Sequence, residues 1–496
     1  MAGGITETGA GYSRLVGLIY IFNLIVGTGA LTMPSAFASA GWLLSLVIVV
    51  ALALVSNMTV SFVTETMGWA NAKLRQDEGQ SHVPPVNKPE IDYIDDVDES
   101  SALLPDCENG SLDHGTNACE MTERTELGQM ANMFFNKWGL LAFYLCMALY
   151  LYGDLAIYAA AVPVSLRDVI CTYKLPNATE ACNNSLKLTD SDTCWDGRDI
   201  SRGQAYRICL AIFFVTGGPF VFFNVQKTKY LQLFTTLMRW LAFGTMVVLA
   251  VIRLSKGQGQ GHPKAADFSG IPNLFGVCVY SFMCHHSLPS LVTPINNKKG
   301  LFRLIGIDFL LILGFYALIS FTGIFSFNKL NDLYTLNFLP DPCDSSEPVT
   351  NVQVIQYFLA LFPVFTLSTN FPIISITLRN NLKTMFYKGD ANPYPWVVDR
   401  IVFPLGAIIP PFIIAFCTSQ VEFLVGVTGS YAGAGIQYVI PAALVYFARK
   451  KMKSIVPNMK NPYTSPFKHG AWIWFAYIWA TVCMVIVTVN HIITGK

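Results

Sequence analysis

The first long apolar run of this chain is interrupted in its middle. The run covers residues 15–38 and contains Gly27, Gly29 and Pro34. About 20 apolar residues in an α-helix span a bilayer, so the run is long enough to cross one. In a helix interior, glycine is less favourable than alanine by about 1 kcal/mol and proline by about 3 kcal/mol. Together these residues predict an unwound segment at mid-membrane depth.

Unwound backbone inside a membrane needs hydrogen-bond partners, because hydrocarbon provides none. Such segments persist where they face protein or a water-filled cavity, so the interruption predicts a cavity that holds a solute. The half-helix that follows begins with free N–H groups and a partial positive charge, which suits a carboxylate. The alternative interpretation is close helix packing, which small residues also permit.

Ten further apolar runs indicate a multi-pass membrane protein. They cover residues 42–67, 136–166, 205–224, 231–253, 273–295, 302–327, 351–378, 399–417, 421–447 and 470–493. The chain has 496 residues, of which 53% are hydrophobic and 13% charged, whereas soluble domains have about 25% charged residues. The formal net charge of +1 does not indicate a nucleic-acid partner.

The distribution of lysine and arginine predicts the orientation of the chain. Basic residues cluster in four short loops that share one side: Lys227, Lys229, Lys298, Lys299, Arg303, Arg379, Lys383, Lys388, Arg449, Lys450, Lys451 and Lys453. This places the N-terminus in the cytosol and the C-terminus outside or in a lumen. Runs one to five and six to ten then have similar lengths and opposite orientations, as in an inverted repeat. The second repeat has its own candidate interruption at residues 279–289.

The sequence divides into four segments. Residues 1–69 hold the first two spans, with the interruption at residues 27–29, and residues 70–128 form an acidic loop predicted to be disordered and cytosolic. Residues 129–450 hold the remaining membrane core, including an outside loop at residues 167–203. Residues 451–496 hold a cytosolic link and the last span.

The outside loop carries glycosylation and disulfide signals. Asn177 and Asn183 lie in acceptor patterns for N-glycans. Four cysteines are predicted to face the same oxidising compartment: Cys171, Cys182, Cys194 and Cys343. We expect at least one disulfide among them, and all three complete pairings stay open. Asn109 also lies in an acceptor pattern, but in the loop predicted to be cytosolic, so we expect no glycan there.

The acidic loop contains a candidate sorting signal. Glu99, Leu103 and Leu104 resemble the acidic dileucine signals by which adaptor complexes sort proteins to endosomes and lysosomes. A solvated acidic stretch with two unrelated leucines is the alternative. The location is therefore an endolysosomal membrane or the plasma membrane.

The stretch Asn23-Leu-Ile-Val-Gly-Thr-Gly29 and the following Leu-Thr-Met-Pro34 resemble the first helix of the amino acid/auxin permease family. Further similar segments lie at residues 152–158, 275–285 and 424–444. The resemblance implies a LeuT-type, all-α fold of about eleven transmembrane helices, with two five-helix inverted repeats and one extra helix. It also implies secondary active transport of amino acids.

The resemblance also implies where the substrate binds. The backbone around Gly27, Thr28 and Gly29 would receive the substrate carboxylate. The interrupted sixth helix would receive the amino group and side chain near Tyr280, Ser281 and Phe282.

The resemblance also implies a coupling ion, which is sodium or a proton. We expect no other cofactor. Asn23 matches the asparagine that sodium-coupled members use as an ion ligand, which favours sodium. In the eighth span, Thr366, Ser368 and Thr369 offer hydroxyl ligands.

Polar residues inside the spans are further candidates. Asp154 would serve as a proton relay or as a structural hydrogen-bond acceptor. Tyr158, one helical turn away, would bind the substrate carboxylate or only pack. For Asp308 we expect an interfacial charge pair with Arg303.

These features predict an ion-coupled transporter of amino acids or similar small zwitterions. The alternative is a transporter-like sensor that binds the same substrate without net transport. The expected partners are the small-molecule substrate, the lipid bilayer and a sorting adaptor. No catalytic motif is present, so an enzyme is not expected.

Overall fold

The computed structural model describes residues 11–81, 117–172, 189–223, 229–340, 348–386, 394–457 and 459–494. This part of the chain is all-α. The helices are α1 (Arg14–Ile25), α2 (Thr28–Ala40), α3 (Trp42–Ser81), α4 (Leu127–Phe134), α5 (Lys137–Ile170), α6 (Arg202–Gly217), α7 (Lys229–Ser255), α8 (Ile271–Ser281), α9 (Leu288–Val292), α10 (Leu301–Ser326), α11 (Gln353–Phe386), α12 (Phe403–Cys417), α13 (Val421–Thr428), α14 (Ile440–Ile455) and α15 (Gly470–Thr494).

Within the described residues, nine helical segments are long and apolar enough to cross a membrane. If the pair α1 and α2, bent by 57°, is counted as one span, the number is ten. The surface of these segments is apolar where they face outwards: Val215, Leu310 and Ile478 are 69%, 67% and 60% exposed. Such side chains are suited to lipid, and the prediction of a multi-pass membrane protein is confirmed.

Helices α1 and α5 each begin after a residue whose side chain caps them. The Ser13 hydroxyl accepts a hydrogen bond from the N–H of Val16 at the start of α1. The Asn136 side chain accepts one from the N–H of Gly139 at the start of α5. Each cap satisfies one of the free N–H groups in a first helical turn.

The first helix is interrupted one or two residues earlier than the sequence predicts. Only Val26 and Gly27 separate α1 from α2, whereas Thr28 and Gly29 already belong to the first turn of α2. The N–H of Gly27 donates to the carbonyl of Ile25 at 2.8 Å. Pro34 lies inside α2 without ending it. The unwound segment is therefore short.

The sixth predicted span is also interrupted. It consists of α8 and α9, and residues 282–287 between them are not helical. At Gly29, α2 contacts α8 so closely that an added Cβ would lie 2.7 Å from the Cα of Ser281. The two interrupted helices therefore cross near their interruptions.

The tenth span approaches α8 just as closely. Between α13 and α14 the helix widens into π-helical turns at Gly429–Gly433 and Gly435–Val439. A Cβ on Gly276 of α8 would lie 2.0 Å from the carbonyl oxygen of Gly426. No side chain fits there, so the backbones of the two helices are in direct contact.

Helix α3 continues past residue 70, where the acidic loop is predicted to begin, and ends at Ser81. Residues from the far end of the loop stabilise this extension. The Asn71 side chain accepts from the N–H of Glu123 and donates to its carbonyl, at 2.9 and 3.1 Å. Arg75 donates to the Thr122 hydroxyl at 2.8 Å. These long-range contacts cannot be read from hydropathy.

A disulfide joins Cys171, after α5, to Cys194. This agrees with the expectation of at least one disulfide in the outside loop. The remaining predicted groups of the loops lie outside the described residues: Cys182, Cys343, Asn177, Asn183, Asn109, Glu99, Leu103 and Leu104.

Candidate functional site

A cavity of about 510 Å³ lies at the two interruptions. Its walls come from α1, α2, α5, α7, α8, α9 and α11, together with residues that separate α8 from α9. A volume of this size is typical of small-molecule sites. The cavity therefore connects the interrupted helices with the helices that pack around them.

The first interruption provides backbone to this cavity. Gly27, Thr28 and Gly29, all predicted to bind the substrate carboxylate, line its wall. Thr28 and Gly29 open α2, and the first N–H groups of a helix have no partner within it. These N–H groups are suited to an anionic oxygen.

The second interruption contributes only one of its three predicted residues. Tyr280 lines the cavity, but Ser281 and Phe282 do not. The Ser281 hydroxyl donates to the carbonyl of Val277 at 2.7 Å. Phe282 stacks on Phe309, with ring centroids 6.1 Å apart. Both side chains are held by the protein interior, so they are not available to a substrate.

Asp154 and Tyr158 of α5 both line the cavity. The hydroxyl of Tyr280 donates a hydrogen bond to the Asp154 carboxylate. Asp154 is 5% exposed, so nearly all of its surface is covered by protein. A buried carboxylate with one hydrogen-bond donor can accept a proton or an ammonium group from the cavity.

An arginine that the sequence interpretation missed also lines the cavity. Arg239 of α7 donates a hydrogen bond from Nη1 to the carbonyl oxygen of Asn23. The signal was present in the sequence, because Arg239 lies inside the apolar run at residues 231–253 and intramembrane charges mark functional sites.

The predicted sodium ligands are only partly brought together. Asn23 and Thr366 line the cavity, whereas Ser368 and Thr369 do not. The Thr366 hydroxyl donates to the carbonyl of Phe362 at 2.9 Å. The Thr369 hydroxyl donates to the carbonyl of Thr366 at the same distance. Ser368, two positions from Thr366, lies on another face of α11. Thr369 lies on the same face as Thr366, but its hydroxyl is bonded to the helix backbone.

The predicted charge pair of Asp308 with Arg303 is wrong. Asp308 is completely buried, and within the described residues neither of its carboxylate oxygens has a hydrogen-bond partner. Arg303 is exposed. The two residues are five positions apart on α10, and only residues three or four apart on a helix are neighbours.

Comparison with known proteins agrees with this architecture. The family described as transmembrane amino acid transporter protein matches residues 11–79 and 118–493. Transmembrane protein 104 of Homo sapiens is 52% identical over 508 residues, which covers 100% of this chain and 99% of the relative. The homologue of Drosophila melanogaster is 46% identical, with 98% of both chains covered. The homologue of Dictyostelium discoideum is 34% identical, with 100% of both chains covered. The resemblance that the sequence motifs indicate is confirmed.

Proposed function

Because this chain belongs to the transmembrane amino acid transporter protein family, we propose that it carries amino acids or similar small zwitterions across a membrane. Transport would be coupled to an ion and would proceed by alternating access, in which the central cavity opens to each side in turn. The membrane is endolysosomal or the plasma membrane.

One observation supports this proposal above the others. A single cavity is lined by the start of α2, by the basic side chain of Arg239 and by the acidic side chain of Asp154. A zwitterion carries one carboxylate and one ammonium group. The cavity offers donors for the first group and an acceptor for the second, so its chemistry is complementary to both ends of such a molecule.

We also propose the LeuT-type arrangement of two inverted five-helix repeats. The first repeat would consist of α1 with α2, followed by α3, α5, α6 and α7. The second would consist of α8 with α9, followed by α10, α11, α12 and α13 with α14, and α15 would be the extra helix. The matching position of the interrupted helix in each half supports this assignment.

In the proposed complex the substrate carboxylate contacts the backbone of Gly27, Thr28 and Gly29. The ammonium group lies towards Asp154, and Tyr158 and Tyr280 border the same space. Desolvation of the two charged ends is compensated only if both find partners at once, which selects for small zwitterions.

The coupling ion is sodium or a proton. Sodium would use the oxygens of Asn23 and Thr366, which line the cavity; Ser368 and Thr369 would have to turn towards it. A proton would bind the Asp154 carboxylate, which Tyr280 already contacts. The two mechanisms make different use of the same cavity.

The test is uptake by the purified full-length chain in proteoliposomes. Each of the twenty standard L-amino acids, radiolabelled, is offered under a sodium gradient, a proton gradient or neither, and protein-free liposomes serve as the control. Gradient-driven uptake of at least one amino acid is expected. Stabilisation by an amino acid without uptake would favour the sensor alternative, and the absence of both would contradict the amino acid site.

A further inference from the structure

We propose that Arg239 is the fixed cation of the substrate site. Its guanidinium occupies the place at the interrupted first helix where a sodium ion would bind, and it pairs with the carboxylate of the substrate. This inference rests on the proposed function and identifies the residue that recognises the acidic end of the substrate.

The interruption changes the hydrogen bonding of the Asn23 carbonyl. In a continuous helix this carbonyl would accept a hydrogen bond from the N–H of Gly27, four residues later. That N–H donates to the carbonyl of Ile25 instead, at 2.8 Å. The interruption therefore deprives Asn23 of its backbone partner. Nη1 of Arg239 donates to this carbonyl oxygen and replaces the lost hydrogen bond.

The charge of Arg239 opposes sodium binding at the Asn23 carbonyl. A sodium ion needs several oxygen ligands and no positive charge beside them. The guanidinium of arginine keeps its charge in proteins, so a second cation at the Asn23 carbonyl would be repelled. The function of a bound cation, holding the carbonyl freed by the interruption, is already fulfilled by a side chain.

Several hydrogen-bond donors line the cavity around Arg239. Asn23 is 9% exposed, lines the cavity, and its Nδ2 has no hydrogen-bond partner within the described residues. Arg239 has further N–H groups beyond the one that Asn23 accepts. The N–H groups of Thr28 and Gly29 open α2 at the same wall. All of these groups are donors, and their common ligand is an anion.

The chemical class of that anion follows from the shape of the donors. A guanidinium offers two parallel N–H groups that match a carboxylate. A planar carboxylate can accept from Arg239 and from the unpartnered amide of Asn23 together. The carboxylate of Asp154, on α5, lines the same cavity and pairs with the ammonium group of the same molecule.

The first part of the test needs no substrate. The unfolding midpoint of the purified full-length chain is measured in sodium chloride and in choline chloride at equal ionic strength. We expect the same midpoint in both salts. Sodium-specific stabilisation of the wild type that disappears in Asn23→Ala would place sodium on the Asn23 side chain, beside the guanidinium, and overturn the proposal.

The second part uses a mixture of the twenty L-amino acids and a matched mixture of the corresponding decarboxylated amines. The amino acids should stabilise the wild type, and the amines should not. Arg239→Gln should bind the amino acids at least about tenfold more weakly, as loss of a charged hydrogen bond implies. The matched control is Arg253→Gln, which removes an arginine of the same helix that does not line the cavity, and it should bind like the wild type.

A purely structural Arg239 gives a different result. Arg239→Gln would then unfold at a lower temperature yet bind amino acids with wild-type affinity, and this outcome refutes the proposal. If Arg239→Gln does not fold, Arg239→Lys decides, because lysine keeps the charge but not the paired N–H groups and should bind several-fold more weakly. If amino acids do not stabilise the wild type, the proposed function fails, and the sodium comparison alone decides the position of Arg239.

Discussion

Ile25 and Ser281, the last residues of the two half-helices α1 and α8, share one hydrogen-bond donor. The hydroxyl oxygen of Tyr316 on α10 lies 3.0 Å from the carbonyl oxygen of Ile25 and 2.8 Å from that of Ser281. Tyr316 is completely buried. Both interruptions leave carbonyls without helical partners, and a single side chain connects them. A movement of either half-helix must therefore alter the same hydrogen bond.

Tyr316→Phe should destabilise the fold by about 1–3 kcal/mol, because the Ser281 carbonyl loses a donor and the Ile25 carbonyl keeps only the N–H of Gly27, while the ring keeps its shape. The measurement is thermal unfolding of the purified chain. Tyr334→Phe is the matched control: Tyr334 is equally buried, but its hydroxyl has no partner in the described part of the chain. Equal destabilisation by both substitutions would show that the connection of the half-helices contributes nothing.

The sequence predicts the interruptions well because glycine, proline and polar residues are unfavourable inside an apolar helix, whatever surrounds them. It predicts poorly which side chains next to an interruption face the cavity. Ser281 and Phe282 lie at the end of a regular helix, where periodicity no longer gives the direction of a side chain. Their orientation depends on the packing of Phe282 against Phe309 and Tyr316.

The sequence likewise identifies unusual charged residues inside the spans but does not identify their partners. Hydropathy identifies Asp154 and Asp308 as unusual, but it cannot tell that Tyr280 donates to the first and that the second has no partner among the described residues. The position of Arg239 inside an apolar run marks it as unusual, but its partner Asn23 is 216 positions away in the chain. A residue's identity indicates that it needs a partner, and the fold decides which partner it finds.

Asp154→Asn should abolish proton-driven uptake if Asp154 carries the coupling proton, because an amide cannot take up and release a proton in the transport cycle. Substrate exchange without a gradient should continue at a reduced rate. Both are measured in proteoliposomes, and Tyr280→Phe is the companion variant, since it removes the donor but leaves the carboxylate. Unchanged proton dependence in Asp154→Asn would assign the relay to another group.

Peptide mapping of the unreduced protein should find Cys171 joined to Cys194, as in the structure. Replacing both by serine should lower the free energy of unfolding by about 3 kcal/mol, as expected for a closed loop of this length.

Glycosidase treatment of the purified protein should release glycans from Asn177 and Asn183 but not from Asn109. A glycan on Asn109 would reverse the predicted orientation of the chain.

Replacing Leu103 and Leu104 together by alanine should move the protein from endolysosomes to the plasma membrane, if these residues form a sorting signal with Glu99. The measurement is the fraction of protein accessible to a membrane-impermeant surface label. The control replaces Ser100 and Ser101 by alanine, which changes the same stretch without removing a leucine. An unchanged surface fraction in the leucine variant would leave the solvated acidic stretch as the interpretation.

Gly29 and Gly27 should respond differently to the same substitution. A Cβ at Gly29 would lie 2.2 Å from the hydroxyl oxygen of Ser281 and 2.7 Å from its Cα, whereas a Cβ at Gly27 has its nearest neighbour, the carbonyl of Ile25, 4.0 Å away. Gly29→Ala should therefore force α2 and α8 apart and cost about 1–3 kcal/mol of stability.

Gly27→Ala should fold normally, so any loss of amino acid binding in that variant reports on the cavity and not on helix packing. Both variants are compared by their unfolding midpoints and by stabilisation with the amino acid mixture. Gly314→Ala, on α10, is the reference for an alanine that meets open space, because no atom lies within 4 Å of the added Cβ. If Gly27→Ala binds amino acids like the wild type and Gly29→Ala is as stable as the reference, the close packing of the interrupted helices and their use as a carboxylate site are both wrong.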